Sequence, residues 1–293
     1  MPNPSGYQIT ETIFSNPSTQ VYRGKRESDQ LPVVLRSYGE ATTSQALYSR
    51  LAFNREVLAL FDNRHIVKVV DWIDDQQQPW LIMEDIHGED LWHFANRFEH
   101  KQLTIETFLE LAIQLADALS IIHHQQVIHK DLHPGNILIN PESGVVQICD
   151  FGLVRKNLSI LNNYYKMTDY MATRWYRPPE LLVNNPEYNE SIDIWGIGCI
   201  AAELLFKTPI FKGNSSEDQL YKIVRTIGNL PKKLLNKLPN DEREIYLNTN
   251  FKNRLKKHFN ILTYEPLLYN LITHLLCYEE CRYSANEALN HPY

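Results

Sequence analysis

The sequence predicts an α+β fold in which a small β-rich part is followed by a larger α-helical part. Over the first 84 residues, short apolar runs alternate with turn residues, a pattern that is typical of strands. From residue 85 onward, apolar residues recur at helical spacing over longer stretches. The change predicts two lobes, residues 1–84 and 85–293, which together form one domain.

The expected elements of the first lobe follow from these runs. Strands are predicted at residues 20–24 and 31–36, on either side of a polar turn. A helix is predicted over residues 43–61, where leucines recur near helical spacing. Two more strands are predicted at 67–73 and 80–83, with a polar connection between them.

The second lobe carries the longer helical patterns. Thr104 is predicted to cap a helix that has a single apolar stripe. The stripe consists of Phe108, Leu111, Ala112, Leu115, Leu119 and Ile122. The segment 193–205 is almost wholly apolar, so it is predicted to be buried.

Composition narrows the classes of function. A formal charge of −6 argues against nucleic acid as the main partner, because nucleic-acid binding usually needs a basic face. A basic stretch late in the chain is interpreted as a solvated face rather than a docking patch. It consists of Lys232, Lys233, Lys237, Lys252, Arg254, Lys256 and Lys257. No segment is apolar for long enough to span a bilayer.

The start of the chain and its cysteines predict a location. The first residues, MPNP, have neither the basic nor the apolar region of a signal peptide. The four cysteines make neither a CxxC pair nor a disulfide framework, so reduced thiols are expected. An intracellular protein, in the cytoplasm, is the expectation that follows.

The strongest chemical signal is a polar cluster between two apolar stretches, at residues 128–140. Asp131 stands five positions before Asn136, and Asp150 begins an Asp-Phe-Gly triplet shortly after. Two carboxylates and an amide oxygen at this spacing can meet around Mg²⁺, which prefers oxygen ligands. An ordinary buried turn with Asx capping explains one such element. Both together, in this order, match the phosphoryl-transfer template of protein kinases.

The stretch 164–180, YYKMTDYMATRWYRPPE, closely resembles the activation segment of mitogen-activated and cyclin-dependent-like protein kinases. The match continues through 193–199 and 208–213 and ends with 282–285 and 291–293. It is stronger in the second lobe, whereas the first lobe looks more like the kinase modules of some bacterial multidomain sensor proteins. The resemblance implies the bilobal protein kinase fold, with a small β-rich N-lobe and a large α-helical C-lobe.

The resemblance also implies roles for individual residues. Asp131 accepts or orients the proton of the attacking hydroxyl, and Asn136 and Asp150 hold Mg²⁺ against the phosphates of ATP. Glu56 corresponds to the glutamate that pairs with a phosphate-binding lysine, and Arg36 stands in the place of that lysine. A further set of positions is implied for nucleotide contact. These are Val21, Val34, Arg36, Met83, Glu84, Ile86 and Leu138.

Two departures from the family pattern concern the roof of the nucleotide site. The three expected glycines fall on Phe14, Asn16 and Thr19, whereas glycines would let backbone N–H groups approach the phosphates. Arg36 keeps the charge of the usual lysine and can still meet Glu56, but its planar fork is not a compact ammonium. A misplaced phosphate contact of this kind can reduce a rate about a hundredfold.

A third departure lies beside Asp131. Protein Ser/Thr kinases usually carry lysine two residues after that Asp, where this chain has His133, which counts among the catalytic candidates. The loop 131–136 thereby resembles aminoglycoside and other small-molecule phosphotransferases, which are a rival interpretation. Those enzymes lack the peptide-docking activation segment. This chain has a full one that runs to Glu180, so a protein substrate is favoured.

Thr168 and Tyr170 stand where mitogen-activated kinases carry a dual phosphorylation site. A phosphate adds roughly −1.5 to −2 charge and needs cationic partners, which favours regulation by phosphorylation, in trans by the chain itself or by an upstream kinase, over an unmodified polar loop. The resemblance assigns Arg55, Lys130 and Arg155 to phospho-Thr168, and Arg174 and Arg177 to phospho-Tyr170. It also places Glu180 and Arg282 in a buried structural ion pair.

The sequence therefore predicts a Ser/Thr protein kinase that uses ATP and Mg²⁺, acts on protein hydroxyls and prefers proline after the target. The alternative is a pseudokinase scaffold with weak or no nucleotide turnover. The intact Asp131, Asn136 and Asp150 favour the enzyme, whereas Arg36 and the missing glycines favour the scaffold.

Overall fold

The computed structural model describes residues 4–17, 19–38, 45–73, 79–97, 104–156, 174–258 and 265–293. Its contacts divide the chain into two compact units. The first unit consists of Met1–Leu91 and Ile137–Gly152, and the second of Trp92–Asn136 and Leu153–Tyr293. The lobe boundary between residues 84 and 85 stays a prediction, because these units are defined by contacts and not by the sequence pattern.

The first unit contains an antiparallel five-stranded sheet with the order β1-β2-β3-β5-β4. The strands are β1 (Tyr7–Ser15), β2 (Thr19–Arg26), β3 (Pro32–Tyr38), β4 (Val69–Ile73) and β5 (Trp80–Glu84). One helix, α1 (Gln45–Leu58), connects β3 to β4 within the described part of the chain. The predicted strands at 20–24, 31–36 and 80–83 are confirmed, and the predicted helix ends three residues earlier than expected, at Leu58, while residues 43–44 lie outside the described residues.

The two faces of this sheet differ because side chains alternate along a strand. On one face, Val33 and Leu35 of β3 are fully buried in a cluster with Tyr7, Tyr22, Trp80 and Ile82. On the other face, Tyr38 packs with Leu51 of α1 and with Leu81. Arg36 lies two residues before Tyr38, so β3 places it on the face that carries α1.

A second small sheet completes the first unit. It has the order β6-β8-β9, with β6 (Glu89–Asp90), β8 (Ile137–Ile139) and β9 (Val146–Ile148). Ile66 forms a parallel bridge to Ile148, and the Val67 N–H donates to the Ile148 carbonyl at 3.0 Å. These bonds fix the end of β9, two residues before Asp150.

The second unit is mainly helical, with one short strand pair, β7 (Val127–Ile128) and β10 (Arg155–Lys156). Its described helices are α2 (Leu91–Asn96, which begins at the boundary), α3 (Ile105–His124), α4 (Pro179–Leu182), α5 (Ser191–Phe206), α6 (Ser216–Ile227), α7 (Lys232–Leu235), α8 (Asn240–Leu247), α9 (Leu255–His258), α10 (Pro266–Leu275) and α11 (Ala285–Leu289). The α+β architecture predicted from the sequence is thus the one observed.

Two predicted helices are confirmed in detail. The Thr104 hydroxyl accepts a hydrogen bond from the Thr107 N–H at 3.2 Å, as an N-cap should. The apolar stripe of α3 is buried except at Ala112, which is half-buried. Helix α5 is buried along most of its length, including a fully buried Trp195. Across the described residues, no helix is both long and apolar enough to cross a bilayer.

Candidate active site

In the first unit, Arg36 of β3 forms an ion pair with Asp150. The Arg36 Nη1 lies 3.0 Å from the Asp150 Oδ1, and the two side chains are 25% and 34% exposed. The same Oδ1 accepts the Gly152 N–H at 3.2 Å. Asp150 adopts a left-handed backbone with φ of 56°, a conformation that Asp tolerates better than most residues. Strand β9 and this turn therefore aim the Asp150 carboxylate at β3.

The pair changes the electrostatics of its surroundings. Burial lowers the pKa of Arg36, but the neighbouring Asp150 carboxylate outweighs this effect, and the pKa of the guanidinium lies above its ordinary value. Burial, with a further contribution from the Asp150 charge, raises the pKa of the Cys149 thiol to about 12. Arg36 is therefore a permanent cation, and Cys149 stays a protonated, weakly reactive thiol at neutral pH.

The structure shows Arg36 in an ion pair with Asp150, so the expected Arg36–Glu56 pair stays a prediction. Glu56 is exposed near the end of α1, and Arg36 pairs with Asp150 instead. The reason lies in the rotation of the helix, whose buried positions near this end are Asn54, Val57 and Leu58. Position 56 then falls on the outer side of α1, away from the sheet.

The roof of the site is a closed hairpin between β1 and β2. The Asn16 N–H donates to the Thr19 carbonyl at 3.0 Å, and the Thr19 N–H donates to the Asn16 Oδ1 at 2.7 Å. Pro17 has no N–H to offer. Phe14 pairs with Val21 in the ladder and is 51% exposed. The N–H groups of Asn16 and Thr19, two of the three positions where the family has glycine, are therefore used in hydrogen bonds within the turn.

The positions implied for nucleotide contact, apart from Ile86, lie on two sheets of the first unit. Val34 pairs with Met83 in the register of β3 and β5, and both are half-buried. Val21 in β2 and Leu138 in β8 are half-buried as well. The Glu84 N–H donates to the Lys68 carbonyl at 3.0 Å.

The segment after β5 is held by residues that sequence reasoning missed. The Arg23 Nε lies 3.0 Å from the Asp85 Oδ2, and the Arg23 Nη2 donates to the Gly88 carbonyl at 2.8 Å. The Asn140 Nδ2 donates to the Ile86 carbonyl at 2.7 Å. These contacts join residues far apart in sequence, so no local pattern signals them.

In the second unit, the loop that follows β7 brings Asp131 and Asn136 together. The Asn136 Nδ2 donates to the Asp131 carbonyl at 2.8 Å and lies 3.4 Å from the Asp131 Oδ2. Because both contacts use Nδ2, the amide Oδ1 of Asn136 points away from Asp131. The 3-10 turn Pro134–Asn136 sets this geometry, and Asn136 is only 7% exposed.

His133 stands beside Asp131 in the same loop. Its Nε2 lies 3.8 Å from the Asp131 Oδ2, while its Nδ1 accepts the Gly135 N–H at 3.2 Å. An Nδ1 that accepts a hydrogen bond leaves the ring proton of neutral histidine on Nε2. The Nε2–H is therefore the atom of His133 that approaches Asp131. The His133 ring also lies 6.1 Å from the Tyr176 ring.

A buried carboxylate, Asp193, anchors the start of this loop. Its Oδ2 accepts the His129 N–H at 2.8 Å and contacts the His123 Nε2 at 2.9 Å, and its Oδ1 accepts the Lys130 N–H at 2.8 Å. Burial raises the pKa of Asp193, but the histidine contacts and the backbone N–H bond outweigh it, so the pKa lies below its ordinary value. In the sequence, Asp193 is a single carboxylate in the first turn of an apolar helix, and this pattern could have indicated its buried role.

The predicted Glu180–Arg282 pair is confirmed. The two contacts between guanidinium and carboxylate measure 2.6 and 3.3 Å, and both side chains are fully buried. Arg282 also donates to the carbonyls of Ser191 and Cys277, at 3.0 Å each. The pair ties α4 to α5 and to the turn that precedes α11.

The residues just before α4 are fixed by contacts to α5, to α6 and to the loop that precedes α6. The Trp175 Nε1 donates to the Gly213 carbonyl at 3.0 Å, and the fully buried Gln219 donates to the Trp175 carbonyl at 3.1 Å. The Tyr176 hydroxyl donates to the Glu203 Oε2 at 2.5 Å. Burial raises the pKa of Glu203 above its ordinary value. This end of the predicted activation segment is therefore well anchored.

The regulatory predictions stay predictions. Thr168 and Tyr170 lie outside the described residues, and so does the side chain of Arg155. Arg55 is exposed on α1, and the Lys130 Nζ stacks over the Tyr188 ring at 5.4 Å. Of the two arginines assigned to phospho-Tyr170, Arg174 is buried and donates to the Asn214 carbonyl at 3.1 Å, and Arg177 is half-buried.

The donor set fits a divalent cation. The Asp150 carboxylate of the first unit and the amide Oδ1 of Asn136 in the second are each an oxygen donor of the kind that Mg²⁺ prefers. Within the described ranges, no group of three or more His, Cys, Asp and Glu side chains could hold a metal ion. A cation bound at either oxygen would fill the rest of its coordination shell with other oxygens, such as those of a phosphorylated ligand.

The antiparallel sheet of the first unit, the helical second unit and the loop of Asp131 and Asn136 together correspond to the bilobal protein kinase fold. The sequence model described as "Protein kinase domain" matches residues 7–293. The chain therefore belongs to the protein kinase family, in which ATP binding is inherent, and its homologues include mitogen-activated and cyclin-dependent-like kinases.

Three relatives illustrate the similarity. "Mitogen-activated protein kinase 12" from Homo sapiens is 35% identical over 257 residues, which cover 84% of this chain and 67% of the relative. "Serine/threonine-protein kinase ppk23" from Schizosaccharomyces pombe is 33% identical over 301 residues, covering 98% and 72%. "Cyclin-dependent kinase-like 2" from Oryctolagus cuniculus is 38% identical over 181 residues, covering 60% of this chain but only 30% of the relative.

Proposed function

We propose that the chain is an ATP- and Mg²⁺-dependent Ser/Thr protein kinase that transfers the γ-phosphoryl group to protein hydroxyls. The observation that carries the proposal is the loop of Asp131 and Asn136, in which one amide nitrogen holds the catalytic candidate and leaves the amide oxygen for a cation. The names of the relatives, which include Ser/Thr and mitogen-activated kinases, support the substrate class.

Each residue of the loop then has a task. Asp131 accepts or orients the proton of the attacking hydroxyl, because its Oδ2 is held by Asn136 and approached by His133. Asn136 and Asp150 bind the cation through oxygen atoms. Mg²⁺, when bound, neutralises charge on the phosphates of ATP. The Nε2–H of His133 orients Asp131 in the place where lysine is usual.

The finer parts of the proposal concern substrate and regulation. The anchored residues Trp175 and Tyr176 support a peptide-docking segment, and the proline-directed preference rests on the resemblance to mitogen-activated kinases. Phosphorylation of Thr168 and Tyr170 by an upstream kinase is proposed on the same ground. None of the four cysteines, all of which lie in the described part, forms a disulfide. Reduced thiols support a cytoplasmic location.

A pseudokinase scaffold is the second candidate, favoured by two observations in the first unit. The hairpin tip uses the N–H groups of Asn16 and Thr19 internally, so they are not aimed at a phosphate. Arg36 is paired with Asp150 and not with Glu56. A third candidate, a small-molecule phosphotransferase, is suggested by His133 and opposed by the activation segment, whose end is tied down by Glu180 and Arg282.

One experiment separates these candidates. The whole chain is incubated with Mg·ATP and with peptide, protein and aminoglycoside acceptors, and phosphate is located by mass spectrometry. We expect phosphate on Ser or Thr of a protein acceptor, and none with Asp131→Asn. Phosphate on the aminoglycoside alone would favour the third candidate. A chain that binds Mg·ATP without any transfer, or fails to bind it, would favour the scaffold.

A further inference from the structure

The ion pair between Arg36 and Asp150 has a consequence for metal binding. We infer that Arg36 competes with a divalent cation for the Asp150 carboxylate, so that the residue at position 36 sets the cation affinity of the site. The inference rests on the proposed function in one respect, which is the assignment of Asp150 as a cation ligand. It adds an opposing role to Arg36, which the resemblance assigns only to phosphate contact.

The geometry at a single oxygen atom supports this competition. The Asp150 Oδ1 already has the Arg36 Nη1 at 3.0 Å and the Gly152 N–H at 3.2 Å. A Mg²⁺ ion binds carboxylate oxygens at about 2.0–2.1 Å and demands near-octahedral geometry. A guanidinium and a dication on one carboxylate repel each other, because both positive charges then lie within a few ångströms. Cation binding must therefore weaken or displace the Arg36 contact.

Arg36 is held loosely enough to be displaced. The contact between the Arg36 Nη1 and the Asp150 Oδ1 measures 3.0 Å, which is longer than the 2.6 Å of the Arg282–Glu180 pair and than the about 2.7–2.9 Å of strong charge-assisted hydrogen bonds. The Arg36 Nε is buried and has no hydrogen-bond partner among the described residues. The guanidinium stacks over the Tyr38 ring at 5.3 Å, on the face that carries α1. A ring contact of this kind does not fix the orientation of the guanidinium, and its rotation away from Asp150 would break no hydrogen bond between Nε and a described residue.

Because residue 36 is an arginine, it competes with a cation for Asp150 at every physiological pH. A guanidinium stays charged throughout the physiological pH range and is more weakly hydrated than an ammonium, so it remains a partner for Asp150 whenever the carboxylate is ionised. Glu56, the expected counter-charge, is exposed and not paired with Arg36. Asp150 is thus the carboxylate that forms an ion pair with Arg36 in the described part of the chain.

The test measures Mn²⁺ binding to the whole chain without nucleotide, using the electron paramagnetic resonance signal of unbound Mn²⁺. Mn²⁺ is a suitable probe because it prefers the same oxygen ligands as Mg²⁺. We expect Arg36→Gln to bind Mn²⁺ about tenfold more tightly than the unaltered chain, within the range by which outer-shell changes alter metal affinity. Adding Asp150→Asn to Arg36→Gln should remove the gain.

The matched control is Arg26→Gln. Arg26 forms an Arg–Asp pair with Asp29 at 2.6 Å, on the same sheet but outside the predicted site. This variant should bind Mn²⁺ as the unaltered chain does, which separates the effect of Asp150 from a general loss of positive charge. Arg36→Lys, which keeps a cation of shorter reach, should show a smaller gain than Arg36→Gln. Circular dichroism and thermal melting establish that each variant is folded.

Two outcomes would overturn the inference. Arg36→Gln protein that binds Mn²⁺ no more tightly than the unaltered chain would mean that Arg36 does not compete for Asp150. An equal gain in Arg26→Gln would mean that net charge and not the pair controls the affinity. These outcomes can be distinguished from a failure of the proposed kinase function. In that case phosphate transfer would be absent, while Arg36→Gln would still bind Mn²⁺ more tightly than the unaltered chain. Arg36→Lys serves the same comparison if Arg36→Gln does not fold.

Discussion

Two arginine–carboxylate pairs, one in each unit, use the same chemistry for different ends. Arg282 and Glu180 make two contacts and are fully buried, and Arg282 also binds the carbonyls of Ser191 and Cys277. The Arg36–Asp150 contact measures 3.0 Å, the two side chains are 25% and 34% exposed, and the Arg36 Nε has no hydrogen bond in the described part of the chain. Burial and the contact distance distinguish a structural pair from an exchangeable one.

The difference follows from desolvation. Removing one partner of a buried pair leaves an uncompensated charge that water cannot reach, which is strongly destabilising. At a partly exposed pair, water replaces the lost partner and the interaction contributes little to stability. A residue that must release its partner during function therefore needs the second kind of environment.

The largest expected effect tests the buried pair. Arg282→Gln should lower the free energy of unfolding by about 3–5 kcal/mol, because Glu180 would remain buried without a counter-charge. Urea unfolding of the single variants and of Arg282→Gln/Glu180→Gln measures this. The double variant should lose less than the sum of the two singles, since neither charge is then stranded. Additive losses would show that the pair is not coupled.

The next effect tests Asp193, a buried carboxylate that is paired with backbone N–H groups. Asp193→Asn should cost about 2–3 kcal/mol at neutral pH, because hydrogen bonds to a charged acceptor contribute more than neutral ones. The pKa of Asp193 is lowered in the folded chain, so its stabilisation is fully present above the unfolded pKa of about 3.9 and is lost as the pH falls through the folded value. The gap between Asp193→Asn and the unaltered chain should therefore narrow in acid. A gap that does not depend on pH would mean that the lost stability is not electrostatic.

Sequence reasoning succeeded where one local pattern decides the structure. The Thr104 cap, the stripe of α3 and the apolar run of α5 each lie within one element, and the period of the apolar residues fixes the buried face. The Glu180–Arg282 pair was reached through the resemblance instead. Strand β1 is not predicted, because most of its side chains are exposed and only Tyr7 at its start is buried.

In the first unit, by contrast, packing between residues far apart in sequence determines which charged side chains pair. The Arg36–Glu56 expectation depends on which side of α1 faces the sheet, and that rotation is set by Leu51, Asn54 and Val57 rather than by the charged residues. The Arg23–Asp85 and Asn140–Ile86 contacts join segments more than 50 residues apart, at 62 and 54 positions. Such pairs leave no periodic trace in the sequence.

The smallest expected effect is the stability change on breaking the Arg36–Asp150 pair. Arg36→Gln should alter the free energy of unfolding by no more than about 1 kcal/mol, because water reaches both side chains and can replace the lost partner. The measurement is the same urea unfolding used for Arg282→Gln, without added metal, with Arg26→Gln as the matched surface pair. A loss comparable to that of Arg282→Gln would mean that Arg36 is a structural residue, and the contrast between the two pairs would fail. A small loss together with tighter Mn²⁺ binding would identify the pair as one that the chain can open at little cost, as a residue competing with a cation requires.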